Sequence, residues 1–137
     1  MKRSEYGKHT RGQWKKRELV MAVLAVLRAN QYQGGLPLTA DRIHQFVGCN
    51  RGSLFTHLKK WCYYEYILRS EGFKPSGYSI LPKGNSYFEA VAQGFLSRRK
   101  GEWVYVDVRA LLRRLPGFQT FRGGQSRLNV ASLLRIL

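Results

Sequence analysis

Residues 50 to 60 read NRGSLFTHLKK, and these are side chains that hold a polyanion rather than break a bond. Arg51, Lys59 and Lys60 are cations, while Asn50, Ser53 and Thr56 carry short hydrogen-bonding groups. Arg and hydroxyl groups reach base edges in a nucleic-acid groove, and Lys neutralises phosphate. Residues for catalysis are scarce. The chain has only eight Asp and Glu, without a convincing paired-carboxylate motif, and no glycine-rich phosphate loop. Cys49, His57 and Cys62 invite a metal, but their spacing matches no zinc pattern. Free cysteine is usually just buried, so the expectation is packing: no metal, no cofactor and no enzyme. His44 reads as a partly exposed structural residue.

The charge balance points the same way. Twenty-four Lys and Arg against eight acids give +16 and a pI near 10.5 over 137 residues, a balance that suits nucleic acid. A membrane is the rival partner, but the longest apolar run, LVMAVLAVL at 19 to 27, has nine residues where a span needs roughly 20. A polar, basic N-terminus reads as no signal peptide. Two cysteines outside any CxxC pair suggest a reducing, intracellular setting; the location expected is cytoplasmic, of prokaryotic type, with nucleoid or ribosome association. Residues 1–17 carry net +6, 98–137 net +7, and 18–97 only +3. Hydrophobic content of 44% supports a true core. The division expected is a basic arm at 1–15, a compact domain at 16–97, and a basic extension at 98–137.

The elements that must position NRGSLFTHLKK follow from periodicity. A helix is predicted from about Lys16 to Asn30, with Val20, Val23, Leu24 and Leu27 on one face. Leu19 and Val26 widen the stripe, so cover on more than one side is expected. Gly34, Gly35 and Pro37 end it. Thr39 reads as the N-cap of a short helix to Val47, with Asp41 near its positive end and Ile43, Phe46 and Val47 inward. Gly48 can close that helix left-handed, and Asn50 can cap the next. Leu54, Leu58 and Trp61 then point into the core. Gly52, Thr56, Lys59 and Tyr63 take the opposite face, flanked by Ser53, Phe55 and Lys60. Two short helices joined by a tight turn form a helix-turn-helix arrangement, whose second helix fits a major groove. YYEYILR at 63–69 and YSIL at 78–81 read as the strands of a hairpin around SEGFKPSG, with Arg69 and Lys74 near its tip. Pro82 to Gly84 leads into a helix of roughly Asn85 to Leu96.

This order resembles a winged helix-turn-helix domain, of the kind found in bacterial and archaeal repressors of the antibiotic-resistance and arsenic-repressor type. LTADRIHQFVG, NRGSLFTHLKKW, and the YI of YEYI with GYSILPKG carry the resemblance over about residues 16 to 96. The fold expected is therefore α+β, mostly α. It is a winged helix-turn-helix with a basic N-terminal arm and a basic C-terminal helical extension. The resemblance implies that Asn50 to Lys60 is the recognition helix and the hairpin within 64–81 the wing, its tip running from Arg69 to Gly77. Arg51, Ser53 and Thr56 match positions that approach bases. Lys59, Lys60 and Thr39 match positions on backbone phosphate. Further backbone contacts are expected from Lys15 in the arm, from Lys16 and Arg17 at the start of the first helix, and from Arg98, Arg99, Lys100, Arg122 and Arg127 beyond the domain. Three residues depart from the pattern. Gly52 weakens the helix by about 1 kcal/mol, Phe55 is apolar on a polar face, and Glu65 replaces a glycine before the hairpin strand.

Beyond residue 97, VDVRALLRRL reads as a helix with Val108, Leu111, Leu112 and Leu115 inward, although WVYVDV could begin a strand. NVASLLRIL closes the chain as a second amphipathic helix. These helices either complete the core against the first helix or, with it, build a homodimer. Two functions follow. One is a DNA-binding transcription regulator reading through residues 50–61. The alternative is an RNA-binding, ribosome-associated component of a ribonucleoprotein whose basic flanks make the main contact.

Overall fold

Nine successive side chains, Leu19 to Leu27, are buried, so the helix that carries them is enclosed all round rather than amphipathic. This is α1 (Lys16–Tyr32), and the rest of the domain is laid against it. The computed structural model describes residues 14–71, 76–93, 96–97, 103–104 and 106–115. The expectation of cover on several sides holds: the sheet and three other helices pack on α1. At its start the Lys15 N–H donates to Glu18 Oε1 at 3.1 Å, which places a carboxylate at the positive helix end. At its end the Gly34 and Gly35 N–H groups donate to the Gln31 and Asn30 carbonyls, both at 2.9 Å. This paired closure needs a left-handed residue, and Gly34 supplies it at φ 76°.

Strand β1 (Leu38–Thr39) leads into α2 (Ala40–Val47). The Thr39 hydroxyl accepts the Arg42 N–H at 3.2 Å, and Gly48 closes α2 at φ 72°. Two residues on, Asn50 Oδ1 accepts the Ser53 N–H at 2.8 Å and opens α3 (Arg51–Tyr63). Ile43, Phe46, Val47, Leu54, Leu58 and Trp61 are all buried, as their spacing predicts. Strands β2 (Ile67–Ser70) and β3 (Gly77–Ile80) pair antiparallel from Ile67 opposite Ile80 to Ser70 opposite Gly77. β1 pairs antiparallel on the other side of β3, giving the order β1-β3-β2. Helix α4 (Pro82–Gln93) follows. Strands β4 (Leu96–Ser97) and β5 (Trp103–Val104) then form a two-stranded antiparallel pair. Last comes α5 (Val108–Arg113), opened by the Asp107 carboxylate, which accepts the Ala110 N–H at 3.2 Å. The described chain is thus mostly helical with a small three-stranded antiparallel sheet, an α+β arrangement weighted to α.

Three boundaries differ from the sequence reading. YYEYILR is not a strand throughout, because α3 runs on to Tyr63. The next residues close that helix: the Glu65 and Tyr66 N–H groups donate to the Cys62 and Trp61 carbonyls, both at 3.0 Å. Glu65 sits at φ 67°, in the place glycine usually takes. Helix α4 begins at Pro82 rather than Asn85, since proline at a first helical position has its φ pre-set and needs no partner for a missing N–H. It ends at Gln93, and Leu96 belongs to β4. Within its first turn, a Cβ at Gly84 would collide with the Tyr66 carbonyl oxygen. That close approach seats α4 on the turn after α3.

Val108, Leu111, Leu112 and Leu115 are buried, and α5 packs on α1. Arg114 binds the two together, 3.2 Å from Glu18 and stacked over the Trp14 ring at 4.0 Å. The apolar stripe of α1 is therefore covered within the chain itself. The helix read from NVASLLRIL lies outside the described residues.

Candidate nucleic-acid interface

The three core residues of α3 fix the direction of all the others. With Leu54, Leu58 and Trp61 turned inward, Gly52, Thr56, Lys59 and Tyr63 come to the surface, flanked by Phe55 and Lys60. Ser53 is half-buried at the edge of that face, and Asn50 is exposed but committed as the cap. Several of the groups expected to approach bases are already engaged. The Arg51 guanidinium is 2.6 Å from Asp41 on α2 and lies 5.7 Å from the centre of the Phe55 ring. Thr56 donates its hydroxyl to the Gly52 carbonyl at 3.2 Å. His57 Nδ1 is 2.8 Å from the Ser53 carbonyl and 3.5 Å from its hydroxyl. Lys59 and Lys60 have no carboxylate partner among the described residues.

Phe55, apolar on this face, is 42% exposed. Its neighbour Arg51 explains why that is tolerated, because a guanidinium over an aromatic ring keeps its own hydration while shading the ring. Thr39 is half-buried in β1 with its hydroxyl used to cap α2. Arg69 is exposed on β2 opposite Tyr78. Lys74, Arg98, Arg99, Lys100, Arg122 and Arg127 lie outside the described residues.

Two cations at the start of α1 are brought to α3. Lys16 and Arg17, in the first turn of α1, share a concavity of about 330 Å³ with His57, Lys60 and Trp61 of α3, with Tyr64 just past its end, and with Tyr66 and Tyr87. No carboxylate lines it. Tyr66 and Tyr87 stack at 4.8 Å and 23°, and Tyr64 meets Tyr66 at 5.8 Å and 57°. Burial raises the Tyr66 phenol, and the neighbouring Tyr64 adds to the rise, so Tyr66 holds its proton more firmly than a free phenol. The sequence reading placed Tyr64 and Tyr66 on a strand and missed the concavity. The signal was present as Lys59 and Lys60 just ahead of WCYYEY, but the ring positions depend on where α3 stops. Lys15 is exposed on the other side of the α1 start, beside Asp107 and Arg114.

The thiols do not resemble nucleophiles. Cys49 is buried in the turn between α2 and α3, and burial pushes its pKa up. Burial likewise raises Cys62, with Arg69 pulling the other way. Among the described residues no cluster of three or more His, Cys, Asp or Glu is placed to hold a metal ion. No described helix is long and apolar enough to cross a membrane. No family model matches the chain, and no curated protein or solved structure matches it.

Proposed function

We propose that residues 16–97 form a winged helix-turn-helix domain that binds duplex DNA as a transcription regulator. In this reading α3 lies in the major groove and the β2–β3 hairpin is the wing. The observation that carries the proposal is the outward face of α3. It follows a tight turn from α2, is held by three buried anchors, and presents Lys59, Lys60 and a bare Gly52 with no acid on it. A helix so displayed has the width and charge for a major groove. Because Arg51, Ser53 and Thr56 are engaged within the protein, affinity comes first from phosphate contacts. Base reading then requires Arg51 to exchange Asp41 for a base edge. A homodimer in this reading pairs through residues 98–137, since α1 is enclosed.

The test is selection from a random duplex library followed by titration of the selected and a random duplex across a salt series. Lys59→Ala and Lys60→Ala should each flatten the log–log salt slope by about 0.9 on both duplexes. Arg51→Ala should cost about 1 to 3 kcal/mol on the selected duplex and less on the random one. Equal losses on both would rule out base reading by α3. The ribonucleoprotein alternative draws support from the concentration of charge, +13 of +16 in residues 1–17 and 98–137. It predicts tighter binding of the full chain to one structured RNA than to any duplex.

A further inference from the structure

Beside the outward face of α3, its flank turns into the concavity against α1, and Lys60 belongs to both. The lining of the concavity combines aromatic rings with cations. Tyr64 is 43% exposed, while Tyr66 and Tyr87 form a stacked pair behind it. Lys16, Arg17 and Lys60 line the concavity as well, without a carboxylate among its lining residues. The volume, about 330 Å³, falls at the low end of the roughly 300–1,000 Å³ of small-molecule sites. That suits one nucleotide and is too small for a duplex.

We propose that this cleft holds an unpaired nucleotide of a DNA strand leaving the duplex on α3, its base stacked on Tyr64 and its phosphate held by Lys16, Arg17 and Lys60. Aromatic faces with interleaved cations are the means by which proteins bind single strands without regard to sequence, since every base has a face to stack. An acidic peptide would satisfy the cations but leave the tyrosines without a role. An apolar ligand would do the reverse. A nucleotide uses both. Continuity through Lys60 makes the strand an extension of the bound duplex, so the protein would recognise a junction of paired and unpaired DNA. The proposal rests on the duplex reading of α3 only for the location of the paired part.

The experiment uses the full chain with labelled oligothymidine, a blunt duplex, and the same duplex carrying a short oligothymidine tail, followed by fluorescence anisotropy. The tail should tighten binding over the blunt duplex. Tyr64→Ala should weaken binding of the single strand and the tailed duplex by about 5- to 150-fold and leave the blunt duplex unchanged. Tyr64→Phe should retain binding, because the ring and not the hydroxyl stacks. Arg17→Gln should flatten the salt slope for the single strand by about 0.7. Tyr64 is exposed at the end of α3, so a thermal midpoint close to that of the parent is expected. If Tyr64→Ala does unfold the chain, the Phe and Gln variants still decide. Unchanged single-strand affinity in Tyr64→Ala, or no gain from the tail, would overturn the proposal. So would displacement by polyglutamate as readily as by oligothymidine, or tighter binding of the equivalent RNA strand. Loss of blunt-duplex binding in Lys59→Ala with the single strand unaffected would keep the two surfaces distinct. Failure of α3 on the duplex alone would leave the single-strand result standing.

Discussion

Glu65 and Asp41 show how single residues set the local terms of this surface. Glu65 is the only non-glycine at positive φ among the described residues, and a side chain there costs roughly 1 to 2 kcal/mol. Glycine removes that cost but loses about 0.5 to 1 kcal/mol in chain entropy. Glu65→Gly should therefore stabilise by about 0.5 to 1 kcal/mol in urea denaturation, whereas Glu65→Ala should give little gain. A lower midpoint for the glycine variant would mean that the carboxylate contributes more than the strain costs. Asp41 acts through charge. Its pair with Arg51 is more than half exposed on both sides, so it contributes only about 0 to 1 kcal/mol to stability. Removing it should matter far more to binding. Asp41→Asn releases Arg51 and deletes a negative charge beside α3, so duplex affinity should rise and the salt slope steepen by up to about 0.9. Weaker binding would show that Asp41 positions Arg51 rather than restrains it.

At the scale of elements, α3 has one register, and stability and binding should divide along it. Leu58→Ala and Trp61→Ala should each cost about 2 to 5 kcal/mol, because both side chains are buried at 1% and 4% exposure. Lys59→Ala, one residue from Leu58, should shift stability by less than about 0.5 kcal/mol and weaken binding. A large loss of stability from Lys59→Ala would mean the helix is rotated from this register. This register was readable in the sequence because its determinants are local: Thr39, Gly48 and Asn50 mark ends, and Leu54, Leu58 and Trp61 mark a face. The end of α3 was not readable. Tyrosines favour strands, and the left-handed Glu65 is a residue that type alone would not suggest. The start of α4 was hidden for a different reason, since Gly84 is there to let the Tyr66 carbonyl approach, a contact known only in three dimensions. Arg28 is similar. It reaches Asn85 at 2.9 Å and Glu89 at 2.8 Å, joining α1 to α4 across 57 and 61 residues.

For the whole molecule, two effects of pH oppose one another. Cys49, Cys62, Tyr66 and Tyr78 all have pKa values raised, each mainly by burial. A raised acid group stays protonated longer in the folded chain than in the unfolded one. Its contribution is therefore fully present below the ordinary value, 9.0 for the thiols and 10.0 for the phenols. It fades as pH rises through the higher folded value. Meanwhile a chain of +16 repels itself, and alkaline pH, which lowers the net positive charge, relieves that repulsion. The signs differ, so the parent curve alone cannot separate them. A difference can. Cys49→Ala with Cys62→Ala removes the thiols and keeps every lysine, so repulsion changes equally in parent and variant. Urea denaturation between pH 8 and pH 10 should show the parent losing stability relative to the variant, with the gap opening above pH 9.0. At pH 7 the gap should be constant and reflect packing alone. Parallel curves across the whole range would mean that the thiols ionise as easily in the folded chain as in the unfolded one. Cys49 would then be open to solvent, and the turn that sets α3 against α2 would not be the sealed joint described above.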